Sequence, residues 1–473
     1  MVTAKGKPNF TEGPIFTRLL LFTLPIIATS LLQVLYNMAY NRVVGQFSGD
    51  PDALAAVGQT SAYTNLLINI LIGISAGAGV VVAQLYGAMR RDELKKAIHT
   101  AMALSLILGA GLLLLGLAVT PWVLSLIVKA ELLPKSTLYM MIVCAGLPAL
   151  SIYNFGASIM RSLGDSKTPL VILSLSGILN VVLNLIFVIP LRMSIAGVAL
   201  ATIISQYASA VAVVILMLRE KDEDFRLDVR QLRIYMPALR RTLMCGIPAA
   251  LQSSVFSFAN MILASAVGTL PTTSISANTI ASNIDGITYQ CMNAFTSSVM
   301  TFAGQNYGAM KRDRMWKSFI YGVIQVTVIG IAVGGVEILF GEPISSLFIA
   351  ADNPNRDLII AETRKIMITI LVPYFLCGIM GVMGGYLRGL GYSTSPMLAS
   401  VISVLVVRIT WIFFVFYPSG SQDISFLYLC FPITWIVTIL IEVGVLIYVN
   451  RKMKKLGFGE EKKTDEVAVT AES

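Results

Sequence analysis

Gln84-Leu85-Tyr86-Gly87-Ala88-Met89-Arg90-Arg91-Asp92 returns 221 residues later as Gln305-Asn306-Tyr307-Gly308-Ala309-Met310-Lys311-Arg312-Asp313. A second pair follows in the same order. Arg161-Ser162-Leu163-Gly164-Asp165-Ser166-Lys167-Thr168-Pro169 matches Arg388-Gly389-Leu390-Gly391-Tyr392-Ser393-Thr394-Ser395-Pro396, 227 residues on. The segments ahead of them agree too: Leu24-Pro25 with Ile247-Pro248, Asn37 with Asn260, and Val44-Gly45 with Val267-Gly268. Apolar runs resemble one another by chance, but polar loop residues do not hold register over such distances. The chain is an internal duplication.

The duplicated unit belongs in lipid. Of 473 residues 56% are hydrophobic and 13% charged, against about a quarter charged in a soluble domain. A helix crosses the bilayer core in about 20 residues. Spans are expected near 17–42, 54–84, 97–120, 137–160, 168–190, 195–218, 242–267, 276–304, 317–341, 364–388, 396–417 and 426–449. The fold class is therefore an all-α polytopic membrane protein with twelve transmembrane helices in two six-helix, pseudo-symmetric lobes. The expected organisation is an N-terminal segment (1–16), an N-lobe (17–218), a linker (219–241), a C-lobe (242–449) and a tail (450–473) that is polar and disordered from Asp465 onward. An even number of helices per copy makes both copies enter from one side, so the axis relating them runs along the membrane normal, as in transporters with parallel repeats. The first apolar run is too long for a signal peptide.

Charge placement then sets orientation. The net charge of +9 is concentrated in alternate connections: Arg90, Arg91, Lys95 and Lys96; Arg161 and Lys167; Arg219 through Arg241; Lys311 through Lys317; and Arg451 through Lys455. The intervening loops hold Asp50 and Asp52, or Asp423. This asymmetry is the positive-inside signal; it places both termini in the cytoplasm and sets a nucleic-acid partner aside. Cys144, Cys245, Cys291, Cys377 and Cys430 all fall in apolar runs, and His99 is the single histidine, so neither a disulfide framework nor a metal site is expected. Short loops leave no room for a catalytic domain, and no nucleophile set or nucleotide loop appears. An enzyme is not expected, and neither is a cofactor.

Ionisable groups inside spans cost about 2.5–3.5 kcal/mol on insertion scales, so each needs a reason. Asp285 lies roughly 15 Å into span eight at 1.5 Å per residue, among Asn278, Ser282, Asn283, Thr288, Gln290 and Asn293. A carboxyl so placed can carry a proton or, as an anion, pair with a cation; it can also be fixed by hydrogen bonds between helices. Arg408, inside span eleven, is either its buried charge partner or a structural clamp. Glu337 and Glu442 are close enough to span ends to be boundary residues, and Arg42 to snorkel. Gln33, Tyr36, Asn37, Asn180, Asn184, Gln252 and Asn260, with Asn283 and Asn293, are candidates to line a hydrated cleft. Amides of this kind serve equally as interhelical glue, worth about 0.6 kcal/mol each. Met292 and Phe295 are candidates for a pliable substrate wall, or plain packing.

The chain resembles bacterial multidrug and toxic compound extrusion (MATE) transporters from about residue 15 to 450. The resemblance is carried by Leu35-Tyr36-Asn37, Val44-Gly45, the paired Tyr-Gly-Ala segments, Met160-Arg161-Ser162-Leu163-Gly164-Asp165 with Pro169, and Asn293-Ala294-Phe295 ahead of Gly304-Gln305-Asn306-Tyr307-Gly308. It implies two six-helix lobes, residence in the bacterial cytoplasmic membrane as a monomer, and export of amphiphilic, cationic small molecules driven by inward H⁺ or Na⁺. It also implies a carboxylate at Asp285. The sequence departs from the pattern at Tyr40, where members usually carry an acid, and at Asn184, where many have Asp. Tyr40 thus joins the cleft candidates while removing a coupling group. Two other readings stand beside the exporter: a flippase for a lipid-linked precursor, and a membrane sensor or scaffold derived from a transporter.

Overall fold

A computed structural model describes residues 9–47, 53–346, 348–349 and 353–455, without the side chains of Leu35, residues 37–47, 53–55 and Ser194. The candidate side chains of Asn37 and Tyr40, the Arg42 expectation and the tail beyond Asp465 lie outside the described residues. Among the described residues there is no strand.

The first copy supplies α1 (Ile15–Phe47), α2 (Ala53–Gly87), α3 (Arg91–Ile127), α4 (Leu133–Ser162), α5 (Lys167–Val188) and α6 (Ser194–Leu218). The second supplies α7 (Met236–Val267), α8 (Thr272–Gly308), α9 (Arg312–Leu339), the short α10 (Gly341–Ser346), α11 (Arg356–Leu371), α12 (Tyr374–Gly389), α13 (Thr394–Ser419) and α14 (Ile424–Lys455). Ten of these are individually long and apolar enough to cross a membrane, and α11 with α12 forms an eleventh span bent by 42°. The bend falls at Pro373, whose ring cannot continue the hydrogen-bond ladder. The twelfth span is α8, equally long at 37 residues; its polar side chains from Asn278 to Asn293 keep it below the apolar measure the others meet.

The repeated motifs close their helices in the same way. Met89 (φ 57°) and Met310 (φ 58°) both stand in the left-handed region directly after the Tyr-Gly-Ala turns. The next amide in each case bonds back five residues, Arg90 N to Leu85 O at 3.2 Å and Lys311 N to Asn306 O at 2.9 Å. Gly164 (φ 91°) and Gly391 (φ 89°) repeat the device after α4 and α12, with Asp165 N on Met160 O and Tyr392 N on Leu387 O, both 2.9 Å. This left-handed cap satisfies the last helical carbonyls, which explains why these turns kept register when the apolar surfaces around them diverged.

Each copy's first helix begins against the other copy. The start of α1 and the segment before it pack on α8 and α9: Phe10 stacks on Phe302 at 4.0 Å, and Gln325 donates to Phe16 O at 2.7 Å. Farther along, Tyr36 donates to Ser174 O on α5 at 3.1 Å, with its ring filling the place a side chain at Gly177 would take. The start of α7 lies on α2, where Gly73 faces the Ala250 backbone and Gly77 faces Gly246. Its later half joins α13, through Gln252 to Ser400 Oγ at 2.7 Å and through Arg408 to Asn260.

Candidate functional site

The two bundles meet along one end of the molecule and part toward the other. From Gly87 and Gly308 up to the Asn69–Ser257 hydrogen bond (3.1 Å) the contact across the seam is close. Beyond that bond, Ser61 and Asn65 on α2 and Asn260 on α7 are exposed. On α8, Thr279, Ser282, Asn283 and Tyr289 are exposed, and Gly286, Gln290 and Asn293 are half-buried. At three- and four-residue spacing these form one face of the helix. A polar stripe that long cannot face hydrocarbon, where unsatisfied groups cost several kcal/mol each. The other helices leave this face of α8 largely uncovered.

Asp285 sits beside that stripe, half-buried, fourteen residues into α8. Its carboxyl lies near the Tyr374 hydroxyl, and its Oδ1 is buried with no partner. Tyr374 is the first residue of α12, so the break at Pro373 is what brings a hydroxyl to the acid. Toward the start of α8 from Asp285, Tyr428 donates to Asn278 Oδ1 and lies near Ser282; one turn after the acid, Tyr289 lies near Asn293. The acid thus lies among phenols, and its Oδ1 is left without a partner.

Arg408 is not the partner of Asp285. It forms no ion pair among the described residues, donates from Nη1 to Asn260 Oδ1 at 2.8 Å, and lies 4.2 Å over the Phe431 ring. The helix around it is widened to π geometry over Val401–Val407 and Trp411–Phe416, a rare form that frequently marks functional places. Two other acids, expected near span ends, are buried in the protein. Glu337 is 6% exposed and accepts from Thr288 Oγ1 at 2.8 Å. Glu442 is 1% exposed and lies opposite Arg388. Each keeps one buried oxygen without a partner.

The remaining candidates separate. Gln33, Asn260 and Asn283 are exposed, and Asn293 is half-buried on the polar face of α8. Met292 and Phe295, 2% and 0% exposed, pack in the core against α9 and α12 and line no cleft. Apolar residues on the far side of α8 have neighbouring helices to fill, which decides the packing reading. Gln252 is buried within its own bundle. Asn184 donates to Asn180 Oδ1 (2.9 Å) and Asn180 to Ser205 Oγ (3.1 Å), joining α5 to α6. Tyr36 belongs to the α1–α5 contact. The five cysteines are free and buried. No group of three potential metal ligands exists among the described residues. Tyr374, Tyr428 and Tyr289 were not singled out from sequence, although a proline inside a span next to Tyr374 was the available signal.

Two pseudo-symmetric helical bundles, with the polar face of α8 left exposed, define a polytopic membrane protein. The family pattern MatE matches residues 25–186 and 248–414, one block in each copy, and the chain belongs to that family. The probable multidrug resistance protein YoeA of Bacillus subtilis (strain 168) is 26% identical over 464 residues, 95% of this chain and 96% of its own. A FAD transporter of Shewanella oneidensis is 24% identical, covering 91% of this chain and 94% of its own. The fold matches a solved structure described as the outward-facing conformation of a multidrug resistance MATE family transporter. There the TM-score is 0.85 at 20% identity, with 96% of this chain and 99% of the other aligned.

Proposed function

We propose that this protein is a secondary active exporter of the bacterial cytoplasmic membrane, antiporting amphiphilic, cationic small molecules against H⁺ or Na⁺ by alternating access. Asp285 carries the reading. It is a carboxylate inside a span, beside the polar face of α8, near the Tyr374 hydroxyl and with a buried oxygen left unpartnered. A cation entering a trough along that face and a cationic solute leaving it compete for that oxygen, and such competition is the elementary event of antiport. Family membership and the likeness to YoeA support the substrate class. The basic residues Arg90, Arg91, Lys311 and Arg312 lie at the closed end, so by the positive-inside rule that end and both termini are cytoplasmic, and the trough opens outward. The protein works as a monomer, since each copy supplies the other with the partner surface it needs.

One observation favours a second reading. Arg408 is 2% exposed and forms no ion pair among the described residues, and its partner Asn260 borders the trough. A substrate bearing an anionic group would suit that pair, and one relative is described as a FAD transporter. Neither the lipid-linked precursor nor the sensor reading has a comparable observation in its favour.

The test uses purified protein in vesicles loaded with a fluorescent cationic dye, with ΔpH and ΔpNa imposed separately. Dye movement under one gradient, abolished in Asp285→Asn with the fold intact, is the expected result. Movement under neither gradient removes the exporter reading, and undiminished movement in Asp285→Asn removes the acid's role.

A further inference from the structure

The repeated Gln-x-Tyr-Gly-Ala turns meet each other across the seam, and they do so reciprocally. Gln84 Nε2 donates to Gly389 O at 2.8 Å, crossing from the first copy to the second. Gln305 Nε2 donates to Ser162 O at 2.8 Å, crossing back. In the repeat register Gln84 is the counterpart of Gln305, and Ser162 of Gly389, so the two bonds are one contact made twice about the pseudo-twofold axis. The glycines obey the same relation: a Cβ on Gly87 would stand 1.8 Å from Gln305 O, and one on Gly308 would stand 1.9 Å from Gln84 O. Only glycine permits this approach.

We infer that Gln84 and Gln305 are the paired gating residues of the transport cycle, a latch that holds this end of the molecule shut and parts when the cleft opens the other way. This deepens the transport reading and rests on it. Both bonds terminate on carbonyls at the ends of α4 and α12, where intrahelical donors have run out. Separation therefore exposes the glutamine amides and the carbonyls to water, which satisfies them, so opening forfeits only the modest net worth of each bond and not the full cost of a buried group left unsatisfied. A contact that is firm when closed and cheap to rehydrate suits a gate better than apolar packing does.

The two halves of the latch differ in one respect. Gln305 Oε1 also accepts the Phe10 amide at 2.9 Å, and the segment carrying Phe10 is tied to the second copy by Asn306, Lys311 and Arg314. Gln305 is therefore held in its donating pose by the strap before α1, whereas Gln84 has no such brace in the described hydrogen bonds. Loss of Gln305 loosens the seam more than loss of Gln84.

Two measurements decide this. Ala83→Cys places a thiol at a site 1% exposed that faces Gly304 of the other copy across the seam, and its labelling by a water-soluble maleimide is followed by mass spectrometry of that peptide. Gln84→Ala with Gln305→Ala raises the labelling rate roughly tenfold, as loss of two modest hydrogen bonds implies, with Gln305→Ala alone giving the larger share. Gln84→Glu, which cannot donate, behaves as Gln84→Ala. Unchanged labelling in the double variant overturns the latch, whether or not the protein transports dye. Separately, the Ala83→Cys/Gly304→Cys pair, whose Cβ positions are 3.0 Å apart, cross-links on oxidation and stops transport, and reduction restores it. Failure to cross-link, or transport by the cross-linked protein, also overturns the proposal.

Discussion

Gly308→Ala tests the close seam with a single methyl group. The added Cβ would stand 1.9 Å from Gln84 O and 2.8 Å from Ala88 N. Non-bonded carbon and oxygen do not approach within 3 Å, so the backbones must separate by at least about 1 Å. Both atoms met are main chain, and neither can swing aside. Overpacking of this kind costs about 1–3 kcal/mol. The cost falls on the closed seam alone, because the atoms struck belong to the other copy. It therefore appears as a shift in the equilibrium between closed and parted seam, roughly 5–150-fold. Spin labels at Arg90→Cys and Lys317→Cys, both exposed on opposite sides of the seam, read the shift as a longer distance population in electron–electron double resonance. The natural cysteines are buried and stay unlabelled. Gly87→Ala, facing Gln305 O at 1.8 Å, acts in the same direction. The double variant shifts less than the sum, because one separation relieves both clashes. A distance distribution unchanged by either alanine refutes the reasoning.

Other predictions concern the second bundle and the α1–α5 contact. Asn260→Ala strips Arg408 of its hydrogen-bond acceptor and lowers thermal stability in detergent more than Arg408→Met does, because the first leaves a buried charge unpaired and the second removes it; the opposite order would mean the guanidinium is hydrated. Thr288→Val takes away the donor to Glu337 and costs about 1–3 kcal/mol for a buried group left unsatisfied, with Glu337→Gln expected to restore little; equal melting points of Thr288→Val and the parent protein would count against it. Gly177→Ala places a methyl 1.9 Å from the Tyr36 ring and destabilises by about 1–3 kcal/mol. Adding Tyr36→Ala offsets part of that loss, and strict additivity of the two melting shifts would dismiss the contact.

Much of the architecture was readable before any coordinates. The paired Tyr-Gly-Ala segments gave the duplication because the left-handed caps at Met89 and Met310 tolerate little change. The apolar runs gave all twelve spans, α8 included in spite of its polar residues. The site was legible in part. Asp285 stood out because an acid within a span is rare. Its surroundings did not, because Tyr374 and Tyr428 come from helices more than eighty residues farther along the chain, and ordinary tyrosines in apolar runs carry no signal of where they point. The amides illustrate the same limit. Asn260 and Asn283 are exposed, while Asn180, Asn184 and Gln252 join helices, and residue type with helical spacing is identical in the two cases.

The crossed placement of α1 and α7 interlocks the two copies: α1 begins on α8 and α9 of the second copy, and α7 begins on α2 of the first. The halves are therefore held by these helices and not by the connection around Val229–Gln231. Cutting that connection in the present protein should leave two fragments that stay associated and still purify as one particle.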